Sequence, residues 1–429
     1  MLDPSEIAVL AATVGGRSGG TLRPARPIAA RLARRFPIGA GATLEELEHD
    51  PHALLARLRE REPVSWLPAL DGWLVTRRDL AMRVMRDPKR FTVDDPRFST
   101  GQVVGSSMLT LDGEEHRRHR EPFARPFRRA AVQARFAELV TRESDRLIDA
   151  MEPAGGAELR RGLAGPLAVA VVGNALGFEG ADASAVLGWY DRIVAAVTDI
   201  TAGRPPTSAG REAYDELSAA LHPALDREPA ASLLAAAARE AGGLDRERVI
   251  SNAAVLLFGG IETTEGMIAN AVLHLLSHPD QLALVTADAG LVPNAIEESL
   301  RLEPAAAVVD RYATADVDLA GAPVAHGTLV RISITGANRD PAVFPDPDRF
   351  DVLRGNAHRH LAFAHGAHVC IGMHLARLEA HTAVERLLRR LPGLRLDPAR
   401  PAEPRGLVFR KPPELHVLWA RDDRVRAVG

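Results

Sequence analysis

The chain has one cysteine among its 429 residues, and the residues around it are unusual. Cys370 ends the run His360-Leu361-Ala362-Phe363-Ala364-His365-Gly366-Ala367-His368-Val369-Cys370 and is followed by Ile371-Gly372; six of the fifteen histidines lie between His358 and His381. Gly366 and Gly372 allow the backbone to turn tightly and to approach a flat ligand. A long helical pattern begins just after the cysteine. Helix N-terminal amides and the positive end of the helix dipole favour a thiolate there, and the thiolate is the form that binds metals. The residues alone admit a buried inert thiol, a zinc site completed by some of His365, His368 and His374, or a sulfur ligand to the metal of a flat cofactor.

A second group could handle protons. The apolar run Ile250-Ser251-Asn252-Ala253-Ala254-Val255-Leu256-Leu257-Phe258 meets Gly259-Gly260-Ile261-Glu262-Thr263-Thr264. Two glycines inside a helix cost roughly 1 kcal/mol each relative to alanine, and their missing side chains leave room beside the helix. A threonine hydroxyl just beyond can bond a carbonyl one turn back and open that turn. The result would be a groove for a small molecule with a proton donor next to it. A small-residue notch for helix packing is the plainer alternative. Other pairs carry little signal alone: Glu298 and Arg301 at i,i+3, and His116 and Arg120 at i,i+4, are spacings common on solvated helix faces.

Taken together, these segments resemble the cytochrome P-450 family. The family's loop Phe-Gly-x-Gly-x-His-x-Cys-x-Gly matches Phe363, Gly366, His368, Cys370 and Gly372, with Ala364 where the family has glycine; Leu375-Ala376-Arg377-Leu378-Glu379 looks like the helix that follows. Gly259 to Thr264 resembles the family's oxygen-binding motif, Glu298-Ser299-Leu300-Arg301 its Glu-x-x-Arg motif, and Pro347-Asp348-Arg349-Phe350 its meander. The resemblance runs from about Trp73 to Trp419. It implies the mainly α cytochrome P-450 fold with a minor β region, and a monooxygenase that inserts one oxygen atom of O2 into an apolar organic substrate. Cys370 would be the ligand of haem b iron, where a thiolate favours O–O cleavage. His116, Arg120, Arg311 and His368 would hold the haem propionates, Glu262 and Thr263 would be the acid–alcohol pair that delivers protons to dioxygen, and Glu298, Arg301 and Arg349 would lock the backbone under the haem. Met108, Val255, Ala306, Val308 and Val408 would line the substrate pocket. The methyl of Ala364 should alter loop packing near the sulfur.

The elements that must position these residues are mostly helical. Residues 1–40, rich in Gly, Arg and Pro, read as a loosely ordered arm, and 41–429 as a single domain. Helical periodicity covers 44–61, 78–86, 115–128, 131–151, 186–199, 210–225, 246–277, 293–302 and 371–391. Short strands are expected at 63–67 and 72–76 around the turn Asp71-Gly72, and again at 315–319 and 328–334; the tail 407–419 reads as a hairpin.

Bulk properties narrow the class. A net charge of −3 gives no field to attract nucleic acid or an anionic membrane. Membrane spans need about 18 apolar residues in a row, which the sequence lacks, so a cytoplasmic protein is expected. A lone cysteine can form neither an internal disulfide nor a four-cysteine iron–sulfur cluster. With no flavin or iron–sulfur segment, electrons from NAD(P)H would have to arrive through a separate ferredoxin and ferredoxin reductase, docking where Arg117, Arg118, Arg125 and Arg128 form a basic patch. Only two lysines occur, Lys89 and Lys411, in an arginine- and alanine-rich composition that suggests a bacterial source. The competing readings are a peroxide-driven haem-thiolate enzyme, and a haem or zinc protein without turnover.

Overall fold

The computed structural model describes residues 26–177, 183–205, 207–226, 232–240 and 244–420. Helices dominate. The axis of the helical part is helix Arg246–Ser277, whose N-cap Asp245 accepts from the Arg248 N–H and whose residues from Val249 to Leu275 are almost all buried. A helix that is apolar on nearly every face must be surrounded. Here helices Gly165–Leu176, Ala183–Thr201, Val292–Leu302 and Met373–Arg390 contribute to the same apolar core.

The minor β region is a five-stranded sheet. Strand Val64–Leu67 runs antiparallel to Gly72–Val75, which runs parallel to Leu329–Ser333; that strand pairs antiparallel with Val308–Ala313, and Phe91–Thr92 closes the order. Asp71 makes the first turn in the left-handed region at φ 47°. Gly72 has an ideal Cβ position 3.0 Å from the Leu329 side chain, so a larger residue would crowd the neighbouring strand.

Several expectations need correcting. The pattern at 44–61 divides into helices Leu44–His49 and His52–Arg61, because Pro51 follows Asp50 and biases it away from helical geometry. Strand Val308–Ala313 and helices Ser99–Val104 and Gly165–Leu176 were not expected. The tail pairs otherwise than expected: Arg405 and Lys411 form a single antiparallel bridge, and His416–Leu418 pairs with Gly156–Glu158 and Arg395–Leu396. Residues 1–25 of the proposed arm lie outside the described residues. Within 26–40 the chain forms helices Arg26–Arg35 and Pro37–Ala40, and the Phe36 ring meets Trp73 edge-on at 5.2 Å. No described helix is long and apolar enough to cross a membrane.

Candidate active site

The cysteine loop and the glycine-rich helix face one cavity. It is lined by Cys370, Val369, His368 and Phe363 from the loop and by Gly259, Gly260 and Thr263 from helix Arg246–Ser277. Met108, Val255, Ala306, Val308 and Val408 line it as well. Gly259 has nothing within 4 Å of an ideal Cβ, so its missing side chain is open space. Thr263 Oγ1 donates to the Gly259 carbonyl at 2.6 Å, and the helix stays continuous through this turn.

The loop is held by local bonds and by glycine geometry. The Cys370 N–H donates to the Phe363 carbonyl at 2.9 Å. Gly366, at φ 79°, lies so close to helix Arg78–Arg86 that a Cβ would come within 2.6 Å of the Met85 carbonyl. Ala364 adopts φ 57°, a conformation that glycine takes freely and alanine does not. The sulfur is accessible from the cavity and otherwise enclosed by protein. Burial pushes the thiol up, while the Gly372 and Met373 amides, Arg120 and Arg377 pull it back. Arg377 stacks over the Phe363 ring at 4.5 Å and is held by Glu297 at 2.7 and 2.8 Å.

Basic groups gather at one end. The His116 and His368 rings stack at 4.2 Å, and His368 Nε2 lies 2.9 Å from Asp112 Oδ1. Burial, with His368 and Arg120 nearby, pulls His116 down to about 4, so it is neutral at pH 7, and its buried Nε2 has no partner. Arg120 donates to the Val369 carbonyl at 2.6 Å, and Arg311 to the Asp310 carbonyl at 2.7 Å. Both line the cavity, and neither pairs with a carboxylate among the described residues. A buried guanidinium (Arg311), a half-buried one (Arg120) and a partnerless imidazole beside an apolar cavity call for an anionic partner. A flat, mostly apolar cofactor with two carboxylates, and a metal within reach of Cys370, meets these requirements. The zinc set is not assembled: His365 accepts from Arg86 at 2.6 Å, His368 faces Asp112, and no metal-holding group of three such residues exists among the described residues.

Some expected partners are placed elsewhere. Glu262 does not line the cavity; it is buried and turned toward Lys411, whose Nζ lies 2.8 Å away. Arg349 does not join Glu298 and Arg301 through its side chain. Arg354 does, with Nε 2.9 Å from Glu298 Oε1, while Arg349 offers only its carbonyl to Arg301 and Arg354. The motif match pointed to the first arginine of the loop; the return of the chain toward Glu298 brings the second one there. Of the basic patch, Arg117 pairs with Glu114 and Arg118 lies 3.5 Å from Glu115, leaving Arg125 and Arg128 exposed.

Three residues were missed. Lys411 stood out only as one of two lysines. Arg354 left no local signal. Glu379 lines the cavity, is buried, has an unpartnered Oε2 and is pushed well above the usual carboxylate range by burial.

Comparison with known proteins gives one answer. The family model described as cytochrome P-450 matches residues 211–418. The chain is 37% identical over 401 residues to the cytochrome P-450 monooxygenase PikC of Streptomyces venezuelae, covering 90% of this chain and 94% of that protein. It is 36% identical over 407 residues to nocardicin C N-oxygenase of Nocardia uniformis subsp. tsuyamanensis, covering 90% and 98%. Among solved structures, CYP109E1 of Bacillus megaterium, in complex with testosterone, superposes with a TM-score of 0.79 at 25% identity, covering 89% of this chain and all of that one.

Proposed function

Because this chain belongs to the cytochrome P-450 monooxygenase family, we propose that it inserts one oxygen atom of O2 into an apolar organic substrate, drawing electrons from NAD(P)H through a separate ferredoxin and ferredoxin reductase. The observation that carries this reading is the shared cavity: the only cysteine and the Gly259–Thr263 turn face the same space. In this reading, residues 41–429 are a single haem-binding domain in a cytoplasmic protein.

Haem b, bound here, would supply the redox chemistry that activates dioxygen. Cys370 would hold its iron through sulfur. Arg120, Arg311, His116 and His368 would hold its two carboxylates; arginine's fork suits a carboxylate, and the unpartnered His116 Nε2 gains a hydrogen-bond partner. Arg377 and Glu297 position Phe363, and through its carbonyl the Cys370 amide. Val255, Ala306, Val308 and Val408 exclude water and receive an apolar skeleton. Thr263 places a hydroxyl on the cavity wall that can hold and pass a proton, with Glu262 next to it in the chain as the acid. The exposed Arg125 and Arg128 suit an acidic redox partner.

The test is the carbon monoxide complex of the reduced protein. A thiolate-ligated haem gives a far-red-shifted Soret band, which Cys370→Ala should abolish. An ordinary histidine-type band in the unmodified protein would refute the reading.

A further inference from the structure

One stretch of the cavity wall hangs from two polar side chains of the central helix. The segment that follows helix Ser99–Val104 carries Met108, which is buried and lines the cavity. The turn there is shaped locally: the Ser107 N–H donates to Thr110 Oγ1 at 2.9 Å. Its attachment to the body of the protein is not local. Ser251 Oγ lies 3.0 Å from the Val104 carbonyl and 2.7 Å from that of Ser106, and Asn252 Oδ1 accepts from the Met108 N–H at 2.7 Å. Both residues belong to helix Arg246–Ser277 and are buried between apolar neighbours, Ile250, Ala253 and Ala254.

Asn252 has a second neighbour that decides how its amide can lie. Nδ2 donates to the Arg248 carbonyl at 2.8 Å and lies 3.1 Å from Nδ1 of His119, which is buried on helix Gly113–Ala124. An amide nitrogen only donates and an amide oxygen only accepts. All three bonds form together only when Nδ1 carries no proton. We propose that Asn252 is a positioning residue for the substrate cavity and that His119 governs it: the neutral ring fixes the amide in the orientation that holds Met108, and the protonated ring withdraws it.

The consequence follows from counting donors. With a proton on Nδ1, the ring meets the amide nitrogen donor against donor. Turned over, the amide accepts from the ring, but its oxygen then faces the Arg248 carbonyl and its nitrogen the Met108 N–H. Two bonds are lost, and Met108 is no longer held to the helix. The Ser251 contacts still secure the carbonyls of Val104 and Ser106, so the change is confined to the wall at Met108. The surroundings favour the neutral ring. Burial pulls His119 down, Arg248 and Arg118 act in the same direction, and Glu115 opposes them, as does the Asn252 side chain when it turns to accept. His116, one turn back, is itself held neutral. The other elements packed against this helix bring Arg125, in the turn Arg125–Phe127, and Arg239 and Glu240, at the end of helix Leu233–Glu240.

The orientation of Asn252 stands apart from the proposed reaction, whereas its bearing on what the cavity admits rests on that reading; the two are tested separately. For the first, the haem-loaded carbon monoxide complex is labelled with 13C at the methionine methyls and the histidine Cε1 carbons, and titrated from about pH 8 to about pH 5. Among the seven methionines, Met108 is assigned by the signal lost in Met108→Leu, and His119 by the signal lost in His119→Leu. Both should shift with one shared midpoint, below the usual 6.5. In His119→Leu the Met108 signal should stop responding to pH; if that variant does not fold, His119→Gln takes its place. Asn252→Asp discriminates further. Its carboxylate accepts from the protonated ring and from Met108 at once. The His119 midpoint should therefore rise by about one pH unit, a tenfold gain in proton affinity, while the Met108 signal keeps its high-pH position. A merely structural Asn252 would not uncouple the two. A His119 ring that does not titrate in this range, a Met108 signal that ignores it in the native protein, or one that still follows it in Asn252→Asp overturns the proposal. For the second, carbon monoxide is the probe. Its rebinding after flash photolysis should quicken by up to about five-fold below the His119 midpoint, what one hydrogen bond is worth, and should not do so in Asn252→Asp. A rebinding rate that ignores the His119 midpoint refutes the role in the cavity. Absence of the far-red Soret band is the separate sign that the proposed function itself fails.

Discussion

Arg301 lies against Glu298 as a two-point pair, Nε to Oε2 at 2.7 Å and Nη2 to Oε1 at 2.8 Å, with both side chains fully buried. The remaining Arg301 donors reach the carbonyls of Asn338, Pro347 and Arg349. One i,i+3 pair on helix Val292–Leu302 thus holds the loop that leads toward Cys370.

Removing one member should therefore unfold more than it slows. Glu298→Ala leaves two buried guanidiniums, Arg301 and Arg354, without their carboxylate, at a cost of roughly 3–5 kcal/mol. Little soluble, haem-loaded protein is expected. Arg354→Ala should behave similarly, and Arg349→Ala should remain near native. Comparable yields and denaturation midpoints for the two arginine variants would sink the assignment of Arg354.

Ala364 should be a site of correctable strain. At φ 57° a Cβ is unfavourable by about 1 kcal/mol, which Ala364→Gly removes, although glycine's freer unfolded chain returns part of the gain. The variant should be equally or more stable in urea denaturation of the haem-loaded protein. A clear loss of stability would mean that the methyl packs against the buried cluster that includes Met85 and Leu361, and that this packing outweighs the strain.

Thr263 should govern coupling more than affinity. Thr263→Ala deletes the hydroxyl that is bonded to the Gly259 carbonyl and scarcely changes the cavity. The dissociation constant of a Soret-shifting compound should stay within about two-fold, less than one hydrogen bond is worth. Hydrogen peroxide formed per NAD(P)H should rise at the expense of product. Unchanged coupling would shift weight to a peroxide-driven enzyme.

Acid should destabilise the fold through buried neutral histidines. His274, bonded to Ser299 at 2.9 Å, is pulled down to about 3 by burial, with Arg339 nearby adding to the effect. Its unfolded form titrates near 6.5, so between these values the unfolded chain binds a proton that the folded chain does not. Stability is then fully present above about pH 6.5 and falls as the pH drops toward 3. Asp112, Glu297 and Glu303, held near 2, add their losses only below about pH 4.5. Urea midpoints between pH 4.5 and 6.5 should therefore fall less steeply in His274→Gln. Equal slopes would remove His274 from the account.

Much of the candidate site was legible through the resemblance to the family, because the motifs that carry it are local. Phe363 to Gly372 is one turn of chain, Gly259 to Thr264 one stretch of helix, and Glu298 and Arg301 one helical turn apart. Backbone geometry sets such distances, so spacing suffices to predict them. The long apolar helices were legible for the same reason, whereas helix Gly165–Leu176, apolar on most faces, showed little periodicity to find. Tertiary structure alone decided what depends on distant segments meeting: Arg354 rather than Arg349 on Glu298, the tail strand on Gly156–Glu158, and Glu262 turned out of the cavity toward Lys411. In each case a buried charge or strand edge takes whichever partner packing brings within reach. That choice follows from how the whole chain closes around its core, which no local spacing records.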